Sequence, residues 1–225
     1  MSCGALTDSD FGLCGDCWRD TSFIGGLVCD TCGTPLPGQD DGQAVQCDDC
    51  MQIARPWSRG RAALLYKDMG RKIVLGIKHA DRTELARAAG TWMATAAAPL
   101  VQDRTIIVPI PLHWTRLLRR RYNQSALLAQ WLGHVLHRPV CPDALLRKTR
   151  TKPLEGHSRD ARFAALQGAI VPHPGRTAQI SGRPVLLVDD VMTSGATLAA
   201  GAEALLAAGA TDVCVLLLAR VTKDD

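Results

Sequence analysis

Two unbroken apolar runs dominate the second half of the chain, Val185–Val188 and Val213–Leu218, and neither alternates with polar residues. Short continuous runs of this kind read as strands buried on both faces, the pattern of a parallel sheet. Between them lies an alanine-rich stretch from Leu198 to about Ala208, long enough for three helical turns and followed by Gly209, a residue suited to a left-handed helix end. The three pieces predict a β-loop-α-β unit. Upstream, residues 62–66 are apolar, end in Tyr66 and read as an edge strand, whereas Ile73, Val74 and Ile77 have helical spacing within 71–78. Residues 83–98 predict a second alanine-rich helix. Thr105 to Val108 predicts a strand, which Pro109-Ile110-Pro111 ends, because two prolines impose extended backbone. A helix is expected after Ser125 through about Leu136, and an amphipathic stretch over Ser158–Leu166. Ile106, Ile107, Leu127, Leu128, Leu132, Leu145 and Leu146 are the candidate core of this middle region.

The run Val185-Leu-Leu-Val-Asp-Asp-Val-Met-Thr-Ser-Gly-Ala-Thr197 carries the most chemistry. Asp189 and Asp190 follow the apolar strand, and the hydroxyl-rich loop Thr193-Ser194-Gly195-Ala196-Thr197 leads into the helix. Parallel α/β units take ligands outside the carboxyl ends of their strands. A helix start supplies free N–H groups and partial positive charge, which suit a phosphate. Adjacent carboxylates beside that cradle suit sugar hydroxyls or a hydrated Mg²⁺. Phosphate on the loop and diol on the acids together describe a ribose 5-phosphate. No lysine follows the loop glycine, as a Walker A loop needs, and the G-x-G-x-x-G spacing of a dinucleotide fold is absent.

Charge and cysteine usage divide the chain. Residues 1–56 hold nine Asp and two Arg, a balance of −7, so the remainder carries +11 of the net +4. The basic residues cluster at Arg116, Arg119, Arg120 and Arg121, and again at Arg147, Lys148, Arg150, Lys152, Arg159 and Arg162. Such clusters suit a diphosphate or a nucleic-acid backbone, although charge runs are commonly just solvated helix faces. Seven of the nine cysteines fall in the first fifty residues, as Cys3 and three C-x-x-C pairs: Cys14/Cys17, Cys29/Cys32 and Cys47/Cys50. In a chain with no secretory signal this spacing reads as zinc binding. Cys29, Cys32, Cys47 and Cys50 form a complete tetrahedral set. Cys14 and Cys17 lack a full partner pair. Cys3 precedes a glycine, as Cys32 does, which suggests the second half of a C-x-x-C-G knuckle. Either the natural start lies a few codons upstream, or the first site has three cysteines and is closed by an aspartate or left empty. Cys141 and Cys214 stand apart, and both are expected to be inert, Cys214 in the core. No apolar run is long enough to span a bilayer. The expected location is cytoplasmic.

The acid-pair loop resembles the phosphoribosyl-diphosphate (PRPP) loop of type I phosphoribosyltransferases. Further motifs extend the resemblance: Val108-Pro-Ile-Pro-Leu-His113, an arginine-rich stretch closing on Tyr122-Asn123-Gln124, then Arg147 with Thr151-Lys152, then Arg159 with Phe163. In that order they are similar to the ComF family, which joins a double zinc ribbon to a phosphoribosyltransferase domain and includes competence proteins. The resemblance implies an acidic zinc-ribbon module at 1–56, followed at 57–225 by an α/β domain with a parallel sheet and helices on both faces. It implies that Asp189 and Asp190 hold the ribose hydroxyls and that Thr193, Ser194, Gly195, Ala196 and Thr197 hold the 5-phosphate. Pro109, Arg119, Arg121, Asn123, Gln124 and Lys152 would then lie on the diphosphate or acceptor side, with Arg150 and Lys152 in a mobile hood. Zn²⁺ would be structural and Mg²⁺ would enter with PRPP. Purine-salvage members of the wider group carry a carboxylate where this chain has Thr193, which argues against purine transfer. His79, His113 and His157 are candidate general bases, His113 foremost, although a hydrogen-bonded structural histidine is the commoner case. Two activities are compatible with these residues. One is phosphoribosyl transfer to an acceptor. The other is a non-catalytic role in DNA uptake, with the basic segments binding single-stranded DNA or a competence-machinery protein.

Overall fold

A computed structural model describes residues 12–79, 82–149 and 159–222. In chain order the elements are α1 (Gly15–Arg19), α2 (Asp48–Gln52), β1 (Arg59–Leu65), α3 (Asp68–His79), α4 (Leu85–Ala97), β2 (Ile106–Pro109), α5 (Trp114–Arg120), α6 (Gln124–Leu136), β3 (Leu145–Arg147), α7 (Arg159–Leu166), β4 (Ile170–Pro172), α8 (Thr177–Ile180), β5 (Pro184–Met192), α9 (Ala196–Ala207) and β6 (Asp212–Arg220). Four strands form one sheet in the order β1-β6-β5-β2, and every neighbouring pair is parallel. β3 and β4 make a separate antiparallel hairpin.

The unbroken apolar runs are β5 and β6, the two central strands, where both faces need cover. Leu186, Val188, Leu216 and Leu218 pack with α3, α4 and α6 on one face. Val185, Leu187, Val215 and Leu217 pack with α9 and the hairpin on the other. The helices that follow the adjacent strands β2 and β5 therefore lie on opposite faces. That reversal opens a crevice at the carboxyl ends of the two strands, the place where open α/β sheets hold ligands.

The cysteine-rich segment closes the edge of the sheet. The amide of Ile24 donates to the Ala63 carbonyl (2.9 Å), the amide of Leu65 donates to the Ser22 carbonyl (2.9 Å), and Phe23 forms an antiparallel bridge with Leu64 of β1. This covers an otherwise open row of backbone groups on β1. Cys29, Cys32 and Cys50 belong to the same buried cluster as Val215 and Leu217, so the segment is continuous with the core rather than appended to it. Gly60 marks the contact: a Cβ there would lie 2.4 Å from the Thr31 carbonyl oxygen.

Several expectations need correction. α9 begins at Ala196, not Leu198, and Asp189 and Asp190 lie within β5 rather than beyond it. Leu146 is exposed, because β3 is a two-stranded hairpin with one face toward solvent. α5 is a separate helix before α6, and its short length and polar content gave no periodic signal. Gly33, the glycine after Cys32, has the positive φ expected of a knuckle glycine (70°).

Candidate functional site

Four thiols come together. Cys29, Cys32, Cys47 and Cys50 place their sulfur atoms within 4.8 Å of one another. Contacts with the Cys29 and Cys50 thiols pull the Cys32 thiol pKa down, while contacts with Cys29 and Cys32 push that of Cys50 up. So compact a set cannot ionise fully without a cation, and four converging thiolates are the donor set that Zn²⁺ takes in structural sites. Of the other predicted ligands, Cys17 is buried, Cys14 is half-buried, and Cys3 lies outside the described residues.

The second site sits at the carboxyl ends of β2 and β5. Pro109, the last residue of β2, pairs with Val188, so the β2 end adjoins the acid pair directly. Asp189 is only 8% exposed, and its Oδ1 accepts from Ser125 Oγ (2.8 Å) and from the Asp190 amide (2.9 Å). Burial first, and the Asp190 charge second, raise its pKa to about 7. Asp190 accepts from Gln124 Nε2 (3.1 Å) and pairs with Lys78 Nζ (3.3 Å).

The Tyr-Asn-Gln-Ser motif explains itself in this setting. The Tyr122 hydroxyl donates to the Ile77 carbonyl, beside Lys78. Asn123 caps α6, accepting from the Ser125 amide (3.1 Å) while its Nδ2 donates to the Ile110 carbonyl (2.9 Å). Gln124 and Ser125 then each reach one aspartate. Four consecutive residues thus tie α3, the β2 end and β5 to one another. Asn123 and Gln124, expected on the diphosphate or acceptor side, turn these groups to the scaffold and to Asp190.

Thr193 and Ser194 lead into Gly195, whose φ of +84° caps α9, with Ala196 and Thr197 in its first turn. A Cβ on Gly195 would meet Arg55 Nη1 and Met192 Cε at 2.8 Å each, so both conformation and space require glycine. On the opposite side, the hairpin brings Arg147 toward the acids. Burial and the nearby Arg116 push its pKa down, while the charge of Asp189 opposes the shift. The two basic clusters therefore converge through Arg116 and Arg147.

Arg121 is exposed at the left-handed end of α5 (φ 65°). The side chains of Arg119 and His79 are not described, and Arg150, Lys152 and His157 lie outside the described residues. His113 is buried and caps α5, its Nδ1 lying 2.8 Å from Thr115 Oγ1, so one of its ring nitrogens has a structural task. Burial pushes the Cys141 and Cys214 thiols up, as expected of inert cysteines. Lys78 was missed. Its only trace in the sequence is a lone lysine at the end of an amphipathic helix.

The architecture defines a class, a double zinc ribbon joined to a phosphoribosyltransferase-type α/β domain. The double zinc ribbon domain matches residues 1–51, and the phosphoribosyl transferase domain matches residues 130–224. The chain is 31% identical to DNA utilization protein YhgH of Escherichia coli K12 over 217 residues, 93% of this chain and 91% of that protein. It is 27% identical to Competence protein ComFC of Bacillus subtilis, over 91% of this chain and 82% of that one. It is 26% identical to Competence protein F of Haemophilus influenzae, over 96% and 94% respectively. The chain belongs to this ComF family. The ribbon match and the four-cysteine cluster together support a structural zinc.

Proposed function

We propose that the protein binds PRPP with Mg²⁺ at the β2–β5 crevice and transfers the phosphoribosyl group to an acceptor nucleophile. The observation that carries this reading is the pairing of a buried acid pair with a glycine-capped hydroxyl-rich loop in one crevice, with Lys78 on Asp190 and with Arg147, itself next to Arg116, near Asp189. The loop and the start of α9 would take the 5-phosphate. Asp189 and Asp190 would orient the ribose hydroxyls, and Arg116 and Arg147 would face the diphosphate. In the reaction the acceptor forms a bond to C1 as the C1–oxygen bond to diphosphate breaks, and the bonding electrons leave with the diphosphate. Guanidinium groups held before the reaction stabilise that developing charge. Mg²⁺ entering with PRPP beside Asp189 and Asp190 would supply further charge neutralisation. Asp189, whose pKa burial raises to about 7, would be able to exchange a proton with an incoming acceptor. Phosphorus NMR of PRPP tests the binding. The 5-phosphate resonance should broaden and shift with the wild-type protein and stay unchanged with Gly195→Val. An unchanged spectrum with the wild-type protein would overturn the reading.

A second reading rests on α5. Trp114 is 62% and Leu118 73% exposed, with Arg116, Arg120 and Arg121 alongside. An exposed indole among guanidinium groups is a stacking platform for single-stranded nucleic acid. DNA utilization and competence, the words in the relatives' names, accord with it. Binding to single-stranded DNA should weaken steeply with salt, and Arg116→Ala with Arg121→Ala should flatten that dependence. An unchanged salt slope would exclude this surface.

A further inference from the structure

Two arginines hold the inner side of loop 193–197. Arg220 Nη1 donates to the carbonyls of Met192 (3.0 Å) and Thr193 (3.1 Å), and Arg55 Nη1 donates to the carbonyl of Ser194 (2.7 Å). In a trans peptide the C=O and the following N–H point in opposite directions. Fixing these three carbonyls inward therefore turns the N–H groups of Thr193, Ser194 and Gly195 outward. Among the described residues, none of the three donates to an acceptor. Three successive outward amides ahead of a helix start form an anion-binding concavity.

The two arginines are not ordinary ion-pair partners. Arg220 is 6% exposed, and among the described residues neither it nor Arg55 pairs with a carboxylate. Arg55 reaches the loop from the cysteine-rich segment. Its guanidinium lies over the rings of Trp57 (5.3 Å) and Phe163 (5.8 Å). The Trp57 indole in turn donates to the carbonyl of Thr31 (2.7 Å), between Cys29 and Cys32.

We propose that Arg55 and Arg220 are positioning residues that build the anion-binding face of loop 193–197, and that the cysteine-rich segment completes the phosphate site by supplying Arg55. The identity of the anion rests on the PRPP reading, whereas the shaping of the loop does not. The test uses the full-length, zinc-loaded protein with Arg55→Ala and Arg55→Lys. Three quantities are read: zinc content, backbone ¹⁵N order parameters at Thr193, Ser194 and Gly195, and affinity for PRPP with Mg²⁺. Arg55→Ala should keep its zinc, lose order at those three amides, and bind PRPP roughly tenfold more weakly, the effect of one charge-assisted hydrogen bond. Arg55→Lys, which retains a donor, should recover part of both. Unchanged order parameters in zinc-replete Arg55→Ala would overturn the proposal. If the wild-type protein binds no PRPP, the function reading fails by itself, and the order parameters still decide this one.

Discussion

Replacing Asp189 by asparagine should stabilise the ligand-free protein, by an amount that grows with pH. Asp189 is 8% exposed, and burial with the neighbouring Asp190 raises its pKa from 3.8 to about 7. A raised carboxyl pKa means that the folded state prefers the protonated form. The contribution of the group is therefore fully present below about pH 4, the unfolded value, and is lost as pH rises through about 7. Three units at about 1.4 kcal/mol each set a ceiling of about 4 kcal/mol for the cost of the carboxylate at high pH. Asparagine carries no charge to desolvate, and its Oδ1 can still accept from Ser125 and from the Asp190 amide. Urea unfolding of both proteins should show the stability gap widening in favour of Asp189→Asn by about 2 kcal/mol between about pH 5.5 and 8.5. A gap that does not change with pH, or one that favours the wild type at the alkaline end, would refute the reasoning.

Other outcomes follow from the same geometry. Gly60→Ala places a Cβ 2.4 Å from the Thr31 carbonyl, so the ribbon must shift off β1, and calorimetry should show a loss of at least about 2 kcal/mol. Trp57→Ala removes a ring that is 4% exposed, with its hydrogen bond to Thr31, and should cost about 3–5 kcal/mol in chemical denaturation. Chelation of zinc, or Cys32→Ser, should lower the melting temperature and raise protease sensitivity within the first sixty or so residues, since a segment with few apolar side chains depends on its metal. Arg147→Ala removes a positive charge near Asp189 and should raise the Asp189 pKa further, measurable by carboxyl ¹³C NMR titration.

The residues that carried the site in the sequence were those with strong local rules. Val185–Val188 and Val213–Leu218 are buried strands because nothing polar interrupts them. The paired C-x-x-C motifs announce a four-thiolate cluster, since only a metal or its equivalent makes that spacing useful. The glycine loop before an alanine-rich helix marks the turn from β5 into α9. What stayed hidden depends on tertiary contact. Lys78 reaches Asp190 from α3 across more than a hundred residues of chain, and Arg55 and Arg220 reach the loop from before and after it in the sequence. Nothing in their neighbours announces those targets. Asn123, expected on the diphosphate or acceptor side, caps α6 and braces the β2 end, a task that its motif alone does not announce. Leu146 looked like core because an apolar pair in a short strand does not reveal which member faces solvent.

We propose that the crevice at Asp189, Asp190 and the loop 193–197 holds a phosphoribosyl diphosphate. Calorimetric titration of the zinc-loaded protein with PRPP and Mg²⁺, beside the Asp189→Asn, Asp190→Asn double variant, addresses it most directly. The wild-type protein should bind saturably, and the folded variant should lose that binding. No heat of binding with the wild-type protein, or equal binding by both, would contradict it.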